Sequence, residues 1–241
     1  MKIGIISQAR TTSSRLPQKV LKVVNGYSML EHHINRLNKC KGQLYIATTI
    51  NKEDDAIVEI CKKANTPYFR GDENNVLSRF YLCAKENELD LIVRVTSDCP
   101  FIDAELINKG IELFIEGNDS NLYISNCIER TYPRGFDFEI FSFKALEEAF
   151  QKATEEYEFE HVTPYINRNK SGKTTFKHIV HGSDKSSYRI TLDTTDDFEL
   201  IRRMMEEHHA EEKNHEEIIS ILNQHPELVA INKHIEQKSI H

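Results

Sequence analysis

Residues 7–21, SQARTTSSRLPQKVL, place Arg10, Arg15 and Lys19 beside Thr11, Thr12, Ser13 and Ser14, with Lys22 just beyond, directly after the apolar run KIGII. An arginine fork grips phosphate oxygens bidentately, and a lysine supplies a mobile point charge. A triphosphate carries several negative charges, so several cations crowded into one loop suit it. The loop leaving the first strand of an α/β sheet also turns backbone N–H groups toward a ligand. The spacing G-x-x-x-x-G-K-[ST] is absent, so this is not a P-loop. The competing explanation is a solvated basic loop.

Carboxylates form the second group. Asp98, in RVTSDCPFID, is placed at the carboxyl end of a buried strand, where a lone carboxylate is costly unless paired. Hard oxygen ligands suit Mg²⁺; the alternative is a cap on the turn before Pro100. Asp193, in YRITLDTTDDFELI, is also read at a strand end. Asp196 and Asp197 are better placed to stabilise the helix that follows. Two strand-terminal aspartates on one edge of a sheet can share one Mg²⁺. His208, His209 and His215 lie among acids and read as a solvated helix face rather than a metal cluster.

The elements that must hold these groups alternate. KIGII, QLYIATT and LDLIVRVTSD read as strands, with TPYFRG a short edge. SMLEHHINRLNKC (Ser28 as N-cap), EDDAIVEICKKA, NNVLSRFYLCAKEN and DAELINKGIELFIEG (Asp103 as cap) read as helices. The second half offers NLYISN, FDFEIFS, KHIVHG and YRITLD as strands. Its helices are FKALEEAFQKA, EFEHVTPYINRN, DDFELIRRMMEEHHA and HEEIISILNQHPEL. The fold class is α/β: a mostly parallel, Rossmann-like sheet with helices on both faces and an elaborated second half. Ligands in such sheets bind at the carboxyl ends of the strands.

A net charge of −7 weighs against a nucleic-acid partner and makes the basic loop a local feature on an acidic body. Cys40, Cys61, Cys83, Cys99 and Cys127, an odd count without a CxxC pair, read as small buried hydrophobes in a reducing compartment. No segment is long and apolar enough for a membrane span, and the opening residues are too short for a secretory signal, so a cytoplasmic location is expected.

QARTTSSRLPQKVL resembles the opening A/G-R-x-x-S-x-R-L-P-x-K of the sugar-nucleotide cytidylyltransferases. RVTSDCPFID, YPRGFDFEIFS, EHVTPYI and RITLDTTDDFELI resemble, in the same order, the group of spore-coat polysaccharide biosynthesis protein F, related to the acidic-sugar CMP synthetases. The likeness runs from about residue 3 to about 205. It implies a nucleotide-diphospho-sugar transferase-like fold in a single nucleotidyltransferase domain over residues 1–241, with a helical tail from about 206. It implies CTP as substrate, Mg²⁺ as cofactor and CMP transfer to a sugar, sugar acid or phosphorylated acceptor, with pyrophosphate released. Ala9, Arg10, Ser14, Arg15 and Lys19 would bind the triphosphate, Thr48 would lie near the base, and Arg70 and Arg94 would complete that pocket. Asp98 and Asp193 would hold Mg²⁺, with Arg15, Lys19 and Asp98 catalytic. Tyr132, Arg134, Asp137, Glu160 and His161 would face the acceptor. NLYISN…YPRGFDFEIFS, an apolar elaboration beyond the nucleotide core, resembles the subunit-contact region of related synthetases and implies a homodimer. Two other readings stand beside this one: a nucleotide-sugar-dependent glycosyltransferase, which usually carries an Asp-x-Asp motif not found around Asp98, and a non-catalytic nucleotide-sugar-binding protein.

Overall fold

The computed structural model describes residues 1–236; positions 237–241 of the expected helical tail lie outside the described residues. Nine strands appear among the described residues: β1 (Ile3–Gln8), β2 (Val23–Val24), β3 (Tyr27–Ser28), β4 (Gln43–Thr49), β5 (Tyr68–Gly71), β6 (Leu91–Thr96), β7 (Leu122–Ser125), β8 (Glu139–Ser142) and β9 (Thr175–His178). The helices are α1 (Met29–Leu37), α2 (Asp55–Lys63), α3 (Val76–Glu86), α4 (Ala104–Gly117), α5 (Phe143–Lys152), α6 (Glu156–His161), α7 (Pro164–Asn167), α8 (Thr195–His208), α9 (His215–Gln224) and α10 (Pro226–Asn232). Seven strands form one sheet in the order β5-β4-β1-β6-β8-β7-β9, and β2 and β3 form a small separate hairpin. Of the seven, β8 alone runs antiparallel to its neighbours.

Strands β1, β4 and β6 read as near-continuous apolar runs because both faces are covered. Ile5, Ile46, Val93, Ile124 and Ile140 pack on one face with α1, α4 and α8. Their neighbours Ile6, Tyr45, Ile92, Tyr123 and Phe141 pack on the other with α3 and α5. This is the two-residue alternation of a pleated strand expressed as two cores. The expected caps are in place: Ser28 and Glu31 form a reciprocal capping box on α1, and Asp103 accepts from Leu106 N at 3.0 Å.

Two expectations change. EFEHVTPYINRN is two short helices, broken where Val162 adopts φ 70°, ψ −53° and Thr163 N bonds His161 O at 2.8 Å. This is a classic γ-turn, rare and strained for a β-branched residue. YRITLD is extended but does not join the sheet, so Asp193 does not end a sheet strand. Its backbone bonds go to loops: Ile190 N to Arg134 O at 2.8 Å, and Leu192 N to Asp98 O at 2.8 Å. Gly135 permits this close approach, since at its φ of +115° a Cβ would stand 2.8 Å from Ile190 O.

Candidate active site

A cleft of about 960 Å³ opens over the carboxyl ends of β1 and β6. One wall is the loop after β1, which contributes Ala9, Arg10, Ser14, Arg15 and Lys19. The loop is shaped from beneath by Asp54, a fully buried residue just before α2. Asp54 accepts from the backbone N and the hydroxyl of Thr11, both at 2.7 Å, and from the Thr49 hydroxyl. Burial raises the Asp54 pKa, but the bonds from Thr49 and Thr11 outweigh it and hold the carboxyl below its ordinary value. Thr11 O in turn accepts from Ser13 N and Gln18 N, closing the loop on itself. Gln18 takes φ 55°, a left-handed position at which a side chain is strained.

Lys19 lies between two carboxylates, with Nζ 3.1 Å from Asp98 Oδ2 and 2.8 Å from Asp193 Oδ1. Burial lowers the Lys19 pKa, but Asp98 and Asp193 override it and leave the ammonium above its ordinary value. Burial likewise opposes ionisation of Asp98, yet Lys19 and the Thr96 hydroxyl hold its carboxyl down at about 2. Asp193 also meets Arg15 at 3.2 Å and Arg189 at 2.9 Å. Two hard carboxylates converging on one small cation, here the ammonium standing in, form a donor set that fits Mg²⁺. A second acidic group, Asp103, Glu105 and His215, has ligand-type atoms within 4.8 Å of one another. It lies outside the cleft lining; Asp103 is engaged as the α4 cap and by His215 N, with Arg36 at 3.9 Å supplying a cation. His208 and His209 are not part of that group: His208 packs on the His225 ring, and His209 ends α8.

The remaining wall is built by Arg94, Arg134, Asp137, Glu160 and His161. Arg94 pairs with Glu139, the first residue of β8, which also accepts from Tyr123 and, at 2.6 Å, from Thr163. The γ-turn at Val162 thus sets the Thr163 hydroxyl on Glu139 and leaves His161 on the cleft wall. Burial lowers the His161 pKa, which keeps its imidazole neutral at pH 7. Arg130 clamps Asp137 with two bonds, at 2.7 and 2.8 Å.

Three expected residues do not line the cleft. Thr48 is fully buried within β4; its neighbour Thr49, on the opposite face, serves the loop through Asp54. Arg70 on the edge strand β5 is tied to Thr49 O and Asn51 O, each at 2.8 Å, and to Asp55 at 2.7 Å. Tyr132 is buried edge-on against the rings of His181 and His215. In their place stand residues that sequence reasoning missed. Arg79 on α3 is buried on the cleft wall with its Nε unpartnered, and burial followed by repulsion from Arg10 brings its pKa down to about 10. Glu73 accepts from Thr12 and from Asn51 and lies 3.5 Å from Arg10. Both fall in stretches that read only as helix and turn, and hydrophobic periodicity carries no sign of such polar contacts.

A family model described as cytidylyltransferase matches residues 3–225. An uncharacterized protein of Methanocaldococcus jannaschii is 38% identical over 99% of this chain and 98% of its own length. The spore coat polysaccharide biosynthesis protein SpsF of Bacillus subtilis is 30% identical over 93% of this chain and 95% of its own. Among solved structures, a cytidylyltransferase from Leptospira borgpetersenii superposes with a TM-score of 0.91 at 32% identity, covering 99% of this chain and all of that one.

Proposed function

This chain belongs to the cytidylyltransferase family, and from that premise we propose that it transfers CMP from CTP to a sugar-like acceptor for a surface polysaccharide or glycoconjugate. The observation that carries this reading is one cleft in which Arg10, Arg15 and Lys19 of a single loop face Asp98 and Asp193. That pairing of triphosphate-binding cations with cation-binding carboxylates belongs to nucleotidyl transfer. A passive nucleotide-sugar binder has no need of it, and the Asp-x-Asp motif usual in a glycosyltransferase is not found around Asp98.

In the reaction an acceptor oxygen attacks the α-phosphorus in line. The bond to the bridging oxygen breaks, and pyrophosphate leaves with the electron pair. Arg15 and Lys19 bind the leaving pyrophosphate and stabilise the charge that grows on it. Arg10, with Ala9 and Ser14, holds the triphosphate in the ground state, and Arg79 adds a buried cation beside Arg10. Asp98 and Asp193 would hold Mg²⁺, which when bound neutralises phosphate charge at the reacting centre. Arg134, Asp137, Glu160 and His161 bind the acceptor, and the neutral His161 imidazole accepts a hydrogen bond from an acceptor hydroxyl. Much of the rate comes from positioning.

The chain acts as one catalytic domain in the cytoplasm, where CTP is made. It pairs as a homodimer, a reading supported by the open sheet edge at β9, where Phe176 and, just beyond the strand, Val180 are exposed. Among the described residues no helix is long and apolar enough to cross a membrane.

The test is pyrophosphate release with each of the four nucleoside triphosphates against a panel of sugar, sugar-acid and sugar-phosphate acceptors. Release with CTP, dependent on Mg²⁺ and on one acceptor class, is expected. Equal release with all four triphosphates, or none with any acceptor, overturns the reading. A monomeric mass at micromolar concentration overturns the dimer.

A further inference from the structure

Asp193 does not hold its place through a sheet ladder, so something else must fix it. The hydrogen bonds lead away from the cleft to the end of the chain. Arg189 donates through its NH2 group to Asp193 Oδ2 at 2.9 Å and to Asp197 Oδ2 at 3.0 Å, and its Nε donates to Asp197 Oδ1 at 2.9 Å. Asp197, fully buried, accepts also from the backbone N of Asp193 and of Thr194, each at 3.0 Å. The last member is Asn232, the final residue of α10. Its amide nitrogen donates to Asp197 Oδ1 at 2.8 Å and to the Arg189 carbonyl at 3.0 Å.

Asn232 is 3% exposed and is no part of the cleft wall; it lines a small cavity of about 90 Å³ behind Arg189. It therefore cannot touch substrate. Both protons of its amide are spent on the two groups that orient Arg189, the residue that grips Asp193. It also lies beyond residue 225, where the match to the family model ends.

The geometry points to Asn232 as a positioning residue: through Asp197 and Arg189 it holds Asp193 in the attitude that binds the cation. This rests on the reading that Asp193 is a cation ligand. Groups that orient a ligating side chain from behind commonly control metal affinity by ten- to a hundredfold. The isosteric change Asn232→Asp replaces two donors by acceptors facing Asp197 and a carbonyl. It gives Arg189 a competing anion and draws its guanidinium off Asp193.

The experiment is Mn²⁺ binding to the CTP-loaded protein, followed by electron paramagnetic resonance without acceptor, so that no turnover is needed. Asn232→Asp and Asn232→Ala should weaken Mn²⁺ binding by about tenfold or more, with metal-free CTP affinity within about twofold of the parent. Asn232→Ser, which keeps one donor, should fall between. Val229→Ala, which loosens the same helix without touching the amide, should bind Mn²⁺ normally. Asp193→Asn serves as reference. If it loses Mn²⁺ while the Asn232 variants bind as the parent does, the positioning role is overturned and the metal reading stands. If Asp193→Asn binds Mn²⁺ unchanged, the metal reading falls and this inference with it. Loss of the folded state in all three Asn232 variants assigns the amide to stability alone and likewise overturns the proposal.

Discussion

The two ends of the cleft are built on different plans. The end proposed to hold the triphosphate comes from one continuous loop, residues 9–19, and its cations are balanced by carboxylates brought in from other elements: Glu73 on Arg10, Asp193 on Arg15, Asp98 and Asp193 on Lys19. The end proposed to take the acceptor is assembled from the β7–β8 connection, β8 and the γ-turn after α6, and its centre is one buried carboxylate, Glu139, which serves Tyr123 and Thr163 and also pairs with Arg94, expected in the nucleotide pocket. One end is a local motif with distant counter-charges. The other is a distant set of side chains with a local hub. Substitutions at the two ends should therefore fail in different ways.

The largest effect belongs to Asp98. Asp98→Asn removes a carboxylate held ionised to pH 2 or so, and turnover should fall by about a thousandfold or more, with the circular dichroism spectrum unchanged. Retention of a tenth of the activity would break the assignment of this residue to the reacting centre.

Acid sensitivity should be lodged beneath the triphosphate end. His33 is wholly buried between the Ser7 hydroxyl at 2.8 Å and the Cys99 carbonyl at 3.0 Å, and burial lowers its pKa from 6.5 to about 4. The folded chain thus refuses a proton that the unfolded chain accepts below pH 6.5. Stability is unaffected above that pH, falls as pH drops from 6.5 to 4, and the total loss is about 3 kcal/mol. Urea titrations of His33→Gln should show a shallower slope over that window; an unaltered slope would place the acid-labile group elsewhere.

Within the loop, Lys19→Ala should lower kcat by about a hundredfold, the scale of losing one preorganised electrostatic contact. Arg10→Ala should mainly raise KM for CTP. Steady-state kinetics with CTP varied separates the two, and a wild-type kcat for Lys19→Ala would return the loop to the status of a solvated basic segment. At the other end, Thr163→Val deletes one donor to Glu139 and should raise the acceptor KM by about tenfold while leaving that for CTP nearly unchanged. Equal shifts in both would mean that the two ends are not separable.

The smallest effect concerns Gln18, exposed and left-handed in the loop. Gln18→Gly should raise unfolding free energy by up to about 1 kcal/mol by relieving the positive φ. A decrease would show that the backbone freedom added to the unfolded chain outweighs the strain.

Legibility in the sequence follows the same division. The alternation KIGII, SMLEHHINRL, QLYIATT, EDDAIVEICKK was readable because strands buried on both faces and amphipathic helices leave short-range signatures. The loop cations were readable for the same reason, being neighbours in the chain. Asp54, Glu73 and Arg79 were not, because a buried polar group is defined by what it meets in space. Thr48 and Arg70 were expected in the nucleotide pocket from the family resemblance alone; the structure buries Thr48 within β4 and ties Arg70 to the carbonyls of Thr49 and Asn51. YRITLD carries a strand composition, yet its hydrogen bonds are taken by Arg134 and Asp98, and pattern does not record which partner a backbone finds.

The reversed direction of β8 has an evolutionary reading. Ser125 and Glu139 are paired across β7 and β8, so the excursion of residues 126–138 leaves the sheet and returns at adjacent positions on the same rim. The exposed stretch around Ile128 and Glu129 can grow or shrink without slipping any strand, since loop-closure entropy changes only slowly with length, while Arg134 and Gly135 stay seated against Ile190. Arg130, Arg134 and Asp137 all lie on this excursion. On the proposed reading that Arg134 and Asp137 face the acceptor, variation in what the enzyme accepts is cheap to explore beside them. Variation in the triphosphate loop is not, since its closure on Asp54 ties it to two strands and a helix at once. Descendants of such a scaffold can diversify the sugar while inheriting the nucleotide.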